Sequence, residues 1–462
     1  MSFLRHLFLS IFFGLGVTCT ALGAGAVNFS FQPTQPLMED VITIRLTGLN
    51  PEEQVQIDAA QKDELGRLWQ SSATFLADKK GTVDLSKTAP LRGSYAGIDP
   101  MGLFWSMNLN SGEKQRSSFW HTTLTPMEIN LTAKRDKGAP ITGKVIRRII
   151  KDEIHKIEIR DHGIVANLFL PAGKAPHPGI IVLGGSEGGI PNDAYVAQFA
   201  NKGYAAFGLA YYRESGLPAH FSNIPLEYFR SAIDALKARP EVDSSNLAMV
   251  GSSVGGVAAL LCASQYSDIH AVISIIGGPI LFQSIDPDPA IKGIQSNFTS
   301  AGNPLPFVPV KAPELTPENL NTAYYLRVFL SSLFSTSDSL VEESTIVVEK
   351  TNGPILLIGA SNDRLFGSAF LNAKAYSRLT VKKFPHFYDI INYDGVGHTL
   401  GAAGLPGTPT TINSQIIQPY GIGYEYGGNP IDTARAQTDS WKKIFEFLKR
   451  HVAEAKPTMS KS

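Results

Sequence analysis

The sequence predicts two domains: a β-sandwich of short strands, then a mostly parallel α/β sheet covered on both faces. Three observations carry this. Alternating apolar runs broken by Gly, Pro, Asn and Asp fill residues 27–141. Continuous apolar strands alternate with helical patterns from Pro178 onward. The chain has 462 residues, 43% hydrophobic and 18% charged, which is enough for two or three domains.

The elements follow in order. MSFLRHLFLSIFFGLGVTCTALGAGA opens with Arg5 and His6, runs apolar from Leu7 to Val17, and ends in small residues. This predicts a secretory signal over residues 1–26, cleaved after Ala26, and export to a periplasmic or extracellular space. The alternative is an uncleaved membrane anchor, for which the apolar stretch is short. No membrane span is expected in the mature chain. VITIRLTGL alternates, VQIDAAQKD continues, and LWQSSATFLA follows the Leu65-Gly66 turn, giving the sandwich. KVIRRIIKDEIHKIEIRDHGIVANLFLP reads as two alternating strands at the start of the second domain, residues 142–455. In that domain, strands are expected at PGIIVLGG, YAAFGLAYY, NLAMV, AVISIIGG and GPILLIGASND. Helices are expected at AYVAQFANKG, LEYFRSAIDALKARPEV, VAALLCASQY and DSWKKIFEFLKRHVAEA. Residues 279–343 are irregular, with one helical patch at TAYYLRVFLSSLF, and are expected to sit over one edge as a cap.

Charge and cysteine usage narrow the function. Lys plus Arg and Asp plus Glu number 41 each, so the net charge offers no footprint for nucleic acid or an anionic membrane. The two cysteines, Cys19 and Cys262, stand apart with no CxxC or Cys/His cluster. No metal or other cofactor is expected. Oligomeric state is not legible.

The stretch NLAMVGSSVGG fits G-x-S-x-G as Gly251-Ser252-Ser253-Val254-Gly255. Between a strand and a helix, that spacing makes a strained turn that presents a serine hydroxyl above the sheet. Read alone, it serves equally as a packing turn. A hydroxyl at neutral pH needs a base. Asp363 closes ILLIGASND, and His398 follows FYDIINYDGVG, both at strand ends in the order Ser, acid, His. Asp394 lies on the strand that leads to His398 and ranks behind Asp363. His386 precedes that strand and falls at the opposite edge. The expected roles are nucleophile for Ser253, base for His398 and orienting carboxylate for Asp363. The oxyanion hole is assigned to the backbone N–H of Val254 and to Ser186 or Glu187 in the loop GGSEGG. As a side chain, Glu187 reads equally well as an exposed loop carboxylate. Asn28, Asn130 and Asn297 sit in N-x-[ST] sequons, which read better as chance than as glycosylation sites. Tyr211 and Tyr212 read either as a pocket mouth or as core.

These stretches resemble the acyl-CoA thioesterase / bile acid-CoA:amino acid N-acyltransferase family. In the second domain the likeness lies in PGIIVLGGSEGG, KGYAAFGLAYY, PLEYFRSAIDALKARPEV, VGSSVGG, VVEKTNGPILLIGASND and GVGH. In the first it lies in ITIRLTGLNPEEQVQIDA and LRGSYAGIDPMGLFWSM. It implies an immunoglobulin-like first domain, an α/β-hydrolase second domain and a triad acting on an acyl thioester. Carried onto matching positions, the triad is Ser253, Asp363 and His398. The family's transferases tend to carry Cys as nucleophile and its hydrolases Ser, so Ser253 implies hydrolysis. The expected substrate is a small-molecule acyl thioester or ester. Other readings are an N-acyltransferase, an exported carboxylic-ester hydrolase and a non-catalytic exported binding protein.

Overall fold

The computed structural model describes residues 26–109, 119–311, 324–400, 404–405, 411–412 and 424–453. Residues 1–25 of the expected signal lie outside that set. The amino-terminal unit contains strands β1 (Asn28–Gln32), β2 (Thr43–Thr47), β3 (Gln54–Lys62), β4 (Leu68–Leu76), β5 (Val83–Asp84) and β6 (Arg92–Gly93). Helix α1 (Gly102–Trp105) and strands β7 (Asn108–Leu109), β8 (Met127–Arg135) and β9 (Ile141–Arg147) complete it. One sheet runs β1-β2-β5, and the other runs β6-β4-β3-β8-β9 with β7 added to β4. All pairings are antiparallel. Alternation dictates the faces: β3 buries Val55, Ile57 and Ala59 and turns the intervening residues outward. Ile44 and Leu46 of one sheet share a core with Ile57, Phe75, Ile129 and Leu131 of the other. The β3–β4 turn is closed by Asp63, whose Oδ1 accepts from Leu65 N at 3.1 Å and Arg67 N at 2.9 Å.

The expected domain boundary after residue 141 needs correction. It falls inside β9, which pairs with β8 from Met127↔Arg147 to Ala133↔Ile141. The changeover lies between Arg147 and the next strand at His155. Alternating strands look alike on either side of a boundary, and the pattern does not say which partner a strand takes.

The second unit begins with β10 (His155–Ile159), β11 (Ala166–Leu170), β12 (His177–Leu183), α2 (Asp193–Asn201) and β13 (Ala205–Leu209). It continues with β14 (Ile224–Pro225), α3 (Leu226–Lys237), β15 (Val242–Ser252), α4 (Val254–Gln265) and β16 (Ala271–Ile275). Then come β17 (Phe298–Ser300), β18 (Asn303–Pro304), α5 (Tyr324–Ser335), α6 (Asp338–Glu343), β19 (Ile355–Ala360), α7 (Ser368–Val381), β20 (Tyr388–Tyr393) and α8 (Pro430–Leu448). Eight strands form one mixed sheet in the order β10-β11-β13-β12-β15-β16-β19-β20. The first two pairings are antiparallel and the remainder parallel. This is a sheet of α/β-hydrolase type.

Both faces of the sheet are covered, so its strands are apolar throughout. Ile180 and Val182 face α2 and α8, while Ile181 and Leu183 face α3 and α4. Helix α3 is amphipathic, burying Leu226, Phe229, Ala232, Ile233 and Leu236. Helix α4 is apolar all round and buries every residue from Gly255 to Ser264, Cys262 included. Helix α8 begins at Pro430, well before the expected DSWKK stretch. Asn429 caps it by accepting from Asp432 N at 3.0 Å.

Candidate active site

The glycines around Ser253 explain the turn physically. A Cβ on Gly251 would sit 1.9 Å from Gly255 O, and one on Gly255 would sit 2.2 Å from Gly184 O. Helix α4 thus runs too close to β15 for a side chain at Gly251 and too close to the end of β12 for one at Gly255. Ser253 itself adopts φ 55° and ψ −124°, a conformation that L-residues rarely hold. Its N–H donates to Ile275 O of β16 at 2.8 Å, which pins the strained residue to the sheet.

His398 follows β20 and reaches back to the turn. Its Nε2 lies 2.9 Å from Ser253 Oγ, and its Nδ1 lies 2.9 Å from Asp363 Oδ2. The His398 N–H donates to Tyr426 O at 2.8 Å, and its ring stacks on Tyr426 with centroids 6.1 Å apart. Gly397 makes this approach possible, because a Cβ there would lie 2.3 Å from Gly427 O.

Asp363 is buried in the loop after β19. Its Oδ1 accepts from Leu365 N at 3.0 Å and Phe366 N at 2.9 Å, and its Oδ2 accepts from Ser368 N at 3.2 Å. Burial pushes its pKa upward. The adjacent His398 and these donors outweigh burial and hold the carboxyl at about 2. Asp394 and His386 are both exposed and have no part in the constellation. Together, Ser253, His398 and Asp363 can pass the hydroxyl proton to the imidazole while the carboxylate fixes the ring.

The loop after β12 flanks the serine. A Cβ on Gly185 would lie 3.4 Å from Ser253 Cβ, and Ser186 lines the same cavity as Ser253, Val254 and His398. Val254 opens α4, so its N–H lies in the first turn, which has no carbonyl one turn back. The Glu187 carboxylate folds back on its own loop: Oε1 accepts from Gly185 N at 2.8 Å. Glu187 is exposed, so its side chain is the loop carboxylate of the second reading, bonded within its own loop. Tyr211 and Tyr212 are core residues that also anchor this loop, since their hydroxyls donate to Gly184 O at 2.8 Å and Gly185 O at 3.2 Å.

Comparison with known proteins bears on the whole chain. Residues 39–161 match the family model described as the acyl-CoA thioester hydrolase/BAAT N-terminal region. Residues 224–454 match that described as BAAT / acyl-CoA thioester hydrolase C terminal. The chain belongs to the acyl-CoA thioester hydrolase/BAAT family.

Among its relatives, acyl-coenzyme A thioesterase 3 of Mus musculus is 29% identical over 92% of this chain and 94% of its own. The peroxisomal succinyl-coenzyme A thioesterase of Mus musculus is 27% identical, covering 92% and 97%. The bile acid-CoA:amino acid N-acyltransferase of Mus musculus is 28% identical, covering 91% and 96%. Among solved structures, the acylaminoacyl peptidase of Pyrococcus horikoshii aligns with 91% of this chain and 61% of its own. The identity is 12% and the TM-score 0.41, a likeness too slight to bear on function.

In this family member the space above Ser253 is a cavity lined mainly by apolar side chains. The expected cap roofs it. Ile280, Phe282, Ile285, Phe298 and Phe329 come from residues 279–343. Phe298 packs directly on Phe221, with centroids 5.6 Å apart, and Phe282 and Phe329 pack on Phe366 at 5.8 and 5.1 Å. The cap thus covers the carboxyl ends of the central strands, where it was expected over one edge. Sequence reasoning missed these aromatic residues, which are far apart in the chain and share no spacing. Asn297, a sequon residue, also lines the cavity, whereas Asn28 and Asn130 are exposed. Among the described residues, no cluster of three or more His, Cys, Asp or Glu is placed to hold a metal ion, and no helix is long and apolar enough to cross a membrane.

Proposed function

We propose that this protein hydrolyses acyl thioesters through an acyl intermediate on Ser253. The observation that carries the proposal is His398, set 2.9 Å from both Ser253 Oγ and Asp363 Oδ2. Ser253 Oγ attacks the thioester carbonyl carbon as its proton moves to His398 Nε2. The tetrahedral oxyanion is held by the N–H of Val254 and an N–H of the Ser186–Glu187 segment. Each such donor lowers the barrier by about 3–4 kcal/mol. Collapse breaks the C–S bond, and His398 returns the proton to the departing thiolate. Water then attacks the acyl-serine as its proton moves to His398 Nε2; collapse breaks the bond to Ser253 Oγ, His398 returns the proton to that oxygen, and the free acid leaves. Asp363 stays ionised and holds the imidazolium.

The relatives are named for acyl-coenzyme A thioesters and for bile acid-CoA transfer. A serine nucleophile, the apolar cavity and the family together support a thioester with an apolar acyl group. We read the paired antiparallel sheets of the first unit as immunoglobulin-like, and the apolar leader with its small-residue end as an export signal. Hydrolysis is tested with acyl-CoAs of graded length and p-nitrophenyl esters, with and without glycine or taurine. Free acid formed at a rate indifferent to the amine is expected. Amide formed in place of acid would make the protein a transferase, and turnover by Ser253→Ala at the wild-type rate would refute the proposal.

A further inference from the structure

In the loop after β12, the amides from Gly185 to Gly189 divide into two sets. Gly185 N donates to Glu187 Oε1 at 2.8 Å, Gly188 N to Gly185 O at 3.4 Å and Gly189 N to Tyr212 O at 2.9 Å. Ser186 N and Glu187 N donate to no described residue, and Ser186 lines the cavity beside Ser253. Arg213, which follows β13 and Tyr212, bonds the carbonyls of this same pair. Its Nη1 donates to Ser186 O at 3.2 Å and to Glu187 O at 3.3 Å. A trans peptide carries its C=O and N–H on opposite sides. Drawing Ser186 O toward the guanidinium therefore turns the Glu187 N–H away from it. Arg213 is held from the cap in turn. Its Nη2 donates to Asp286 Oδ2 at 2.8 Å. The same oxygen accepts from Phe221 N at 3.1 Å, and Asp286 Oδ1 lies 3.0 Å from His220 Nδ1. Phe221 and Ile285, the neighbour of Asp286, both line the cavity, whereas Arg213 lies outside its lining.

We propose that Arg213 is a positioning residue for the oxyanion hole, a proposal that rests on the thioester-hydrolase reading of Ser253. The guanidinium fixes the peptide that carries the Glu187 N–H. Its charge also polarises that peptide, which makes the N–H a stronger donor. Asp286 keeps Arg213 in place, so the oxyanion loop and the cap wall of the cavity share one bridge. An oxyanion exists only in the tetrahedral states, so the bridge acts on turnover and leaves ground-state binding alone. The Arg213 side chain is 32% exposed, which opens its place to an added cation once the side chain is removed.

The test compares kcat and KM for acyl-CoA hydrolysis in the wild type, Arg213→Ala and Asp286→Asn, with thermal melts alongside. Arg213→Ala is expected to lose about tenfold to hundredfold in kcat, with KM changed by less than about threefold. Its affinity for an alkyl trifluoromethyl ketone, which forms a tetrahedral oxyanion on Ser253, is expected to fall by the same factor as kcat/KM. Added ethylguanidinium is expected to restore part of the lost kcat, and sodium chloride at equal ionic strength to restore none. Asp286→Asn keeps the shape of the bridge and removes its negative charge. A smaller loss of kcat, again with KM unchanged, is expected there. Folded Arg213→Ala that keeps the wild-type kcat overturns the positioning role and leaves the hydrolase reading standing. So does a loss of kcat without weaker binding of the ketone, or one that ethylguanidinium does not relieve. If Arg213→Ala does not fold, wild-type kcat in Asp286→Asn overturns the role in its place. Folded wild-type protein that hydrolyses no acyl-CoA overturns both readings.

Discussion

Ser253 carries a conformation that costs an L-residue about 1–3 kcal/mol. The bond to Ile275 O and the close approach of α4 to β15 keep it there. Ser253→Gly is therefore expected to raise stability by about 1 kcal/mol in thermal melts while abolishing turnover and fluorophosphonate labelling. Ser253→Ala keeps the strain and is expected to lose about 10⁴-fold or more in kcat. Asp363→Asn gives His398 the wrong tautomer, and a fall of about 10⁴-fold in kcat is expected. The same carboxylate sets an acid limit. Its folded pKa of about 2 lies below the ordinary value of about 3.9. Its contribution to stability is thus present above pH ~4 and is lost as pH falls through about 2. The melting temperature of the wild type should fall more steeply than that of Asp363→Asn over this window.

At the scale of elements, the junction between the loop after β12 and helix α4 leaves no room for a side chain. Gly255→Ala places a methyl group against Gly184 O, so the loop that carries Ser186 must move. The expected result is a large drop in kcat with covalent labelling slowed; unchanged kinetics would show that the loop yields freely. Asn429→Ala removes the cap of α8 and should lower stability by about 1 kcal/mol in denaturant titration. Both positions show what a sequence reveals. The Ser253 turn was legible because its glycines recur at fixed spacing between a strand and a helix. His398 and Asp363 were legible because strand ends in a parallel sheet converge on one side. The start of α8 was not, because Asn429-Pro430 precedes the apolar repeat by which the helix was recognised. The cavity above Ser253 was not legible either. Phe221, Phe282, Phe329 and Phe366 meet only through the cap, and tertiary packing leaves no local pattern.

At the scale of the molecule, the two units are not separate beads. Ile44, Ile57 and Ile129 of the sandwich belong to the same core as Phe199, Val250 and Trp441 of the sheet and its helices. Asn192 Nδ2 donates to His121 O at 2.8 Å, and Arg147 donates to Gly404 O at 2.6 Å, adding polar ties. Calorimetry should therefore show one cooperative transition in place of two. Two resolved transitions would mean that the shared core is weaker than its continuity suggests.

The sequon at Asn297 places two biosynthetic fates on one nitrogen. In the folded chain that nitrogen is bonded to Phe282 O beside the cavity above Ser253, beyond the reach of any glycosylating enzyme. In a host that attaches glycans while the chain is still unfolded, the same nitrogen is open to modification. A sugar there would fill the cavity above Ser253 and break the bond between Asn297 and Phe282. The choice of expression host thus becomes an experimental variable: bacterial material and glycosylated material are expected to differ in activity at this one residue.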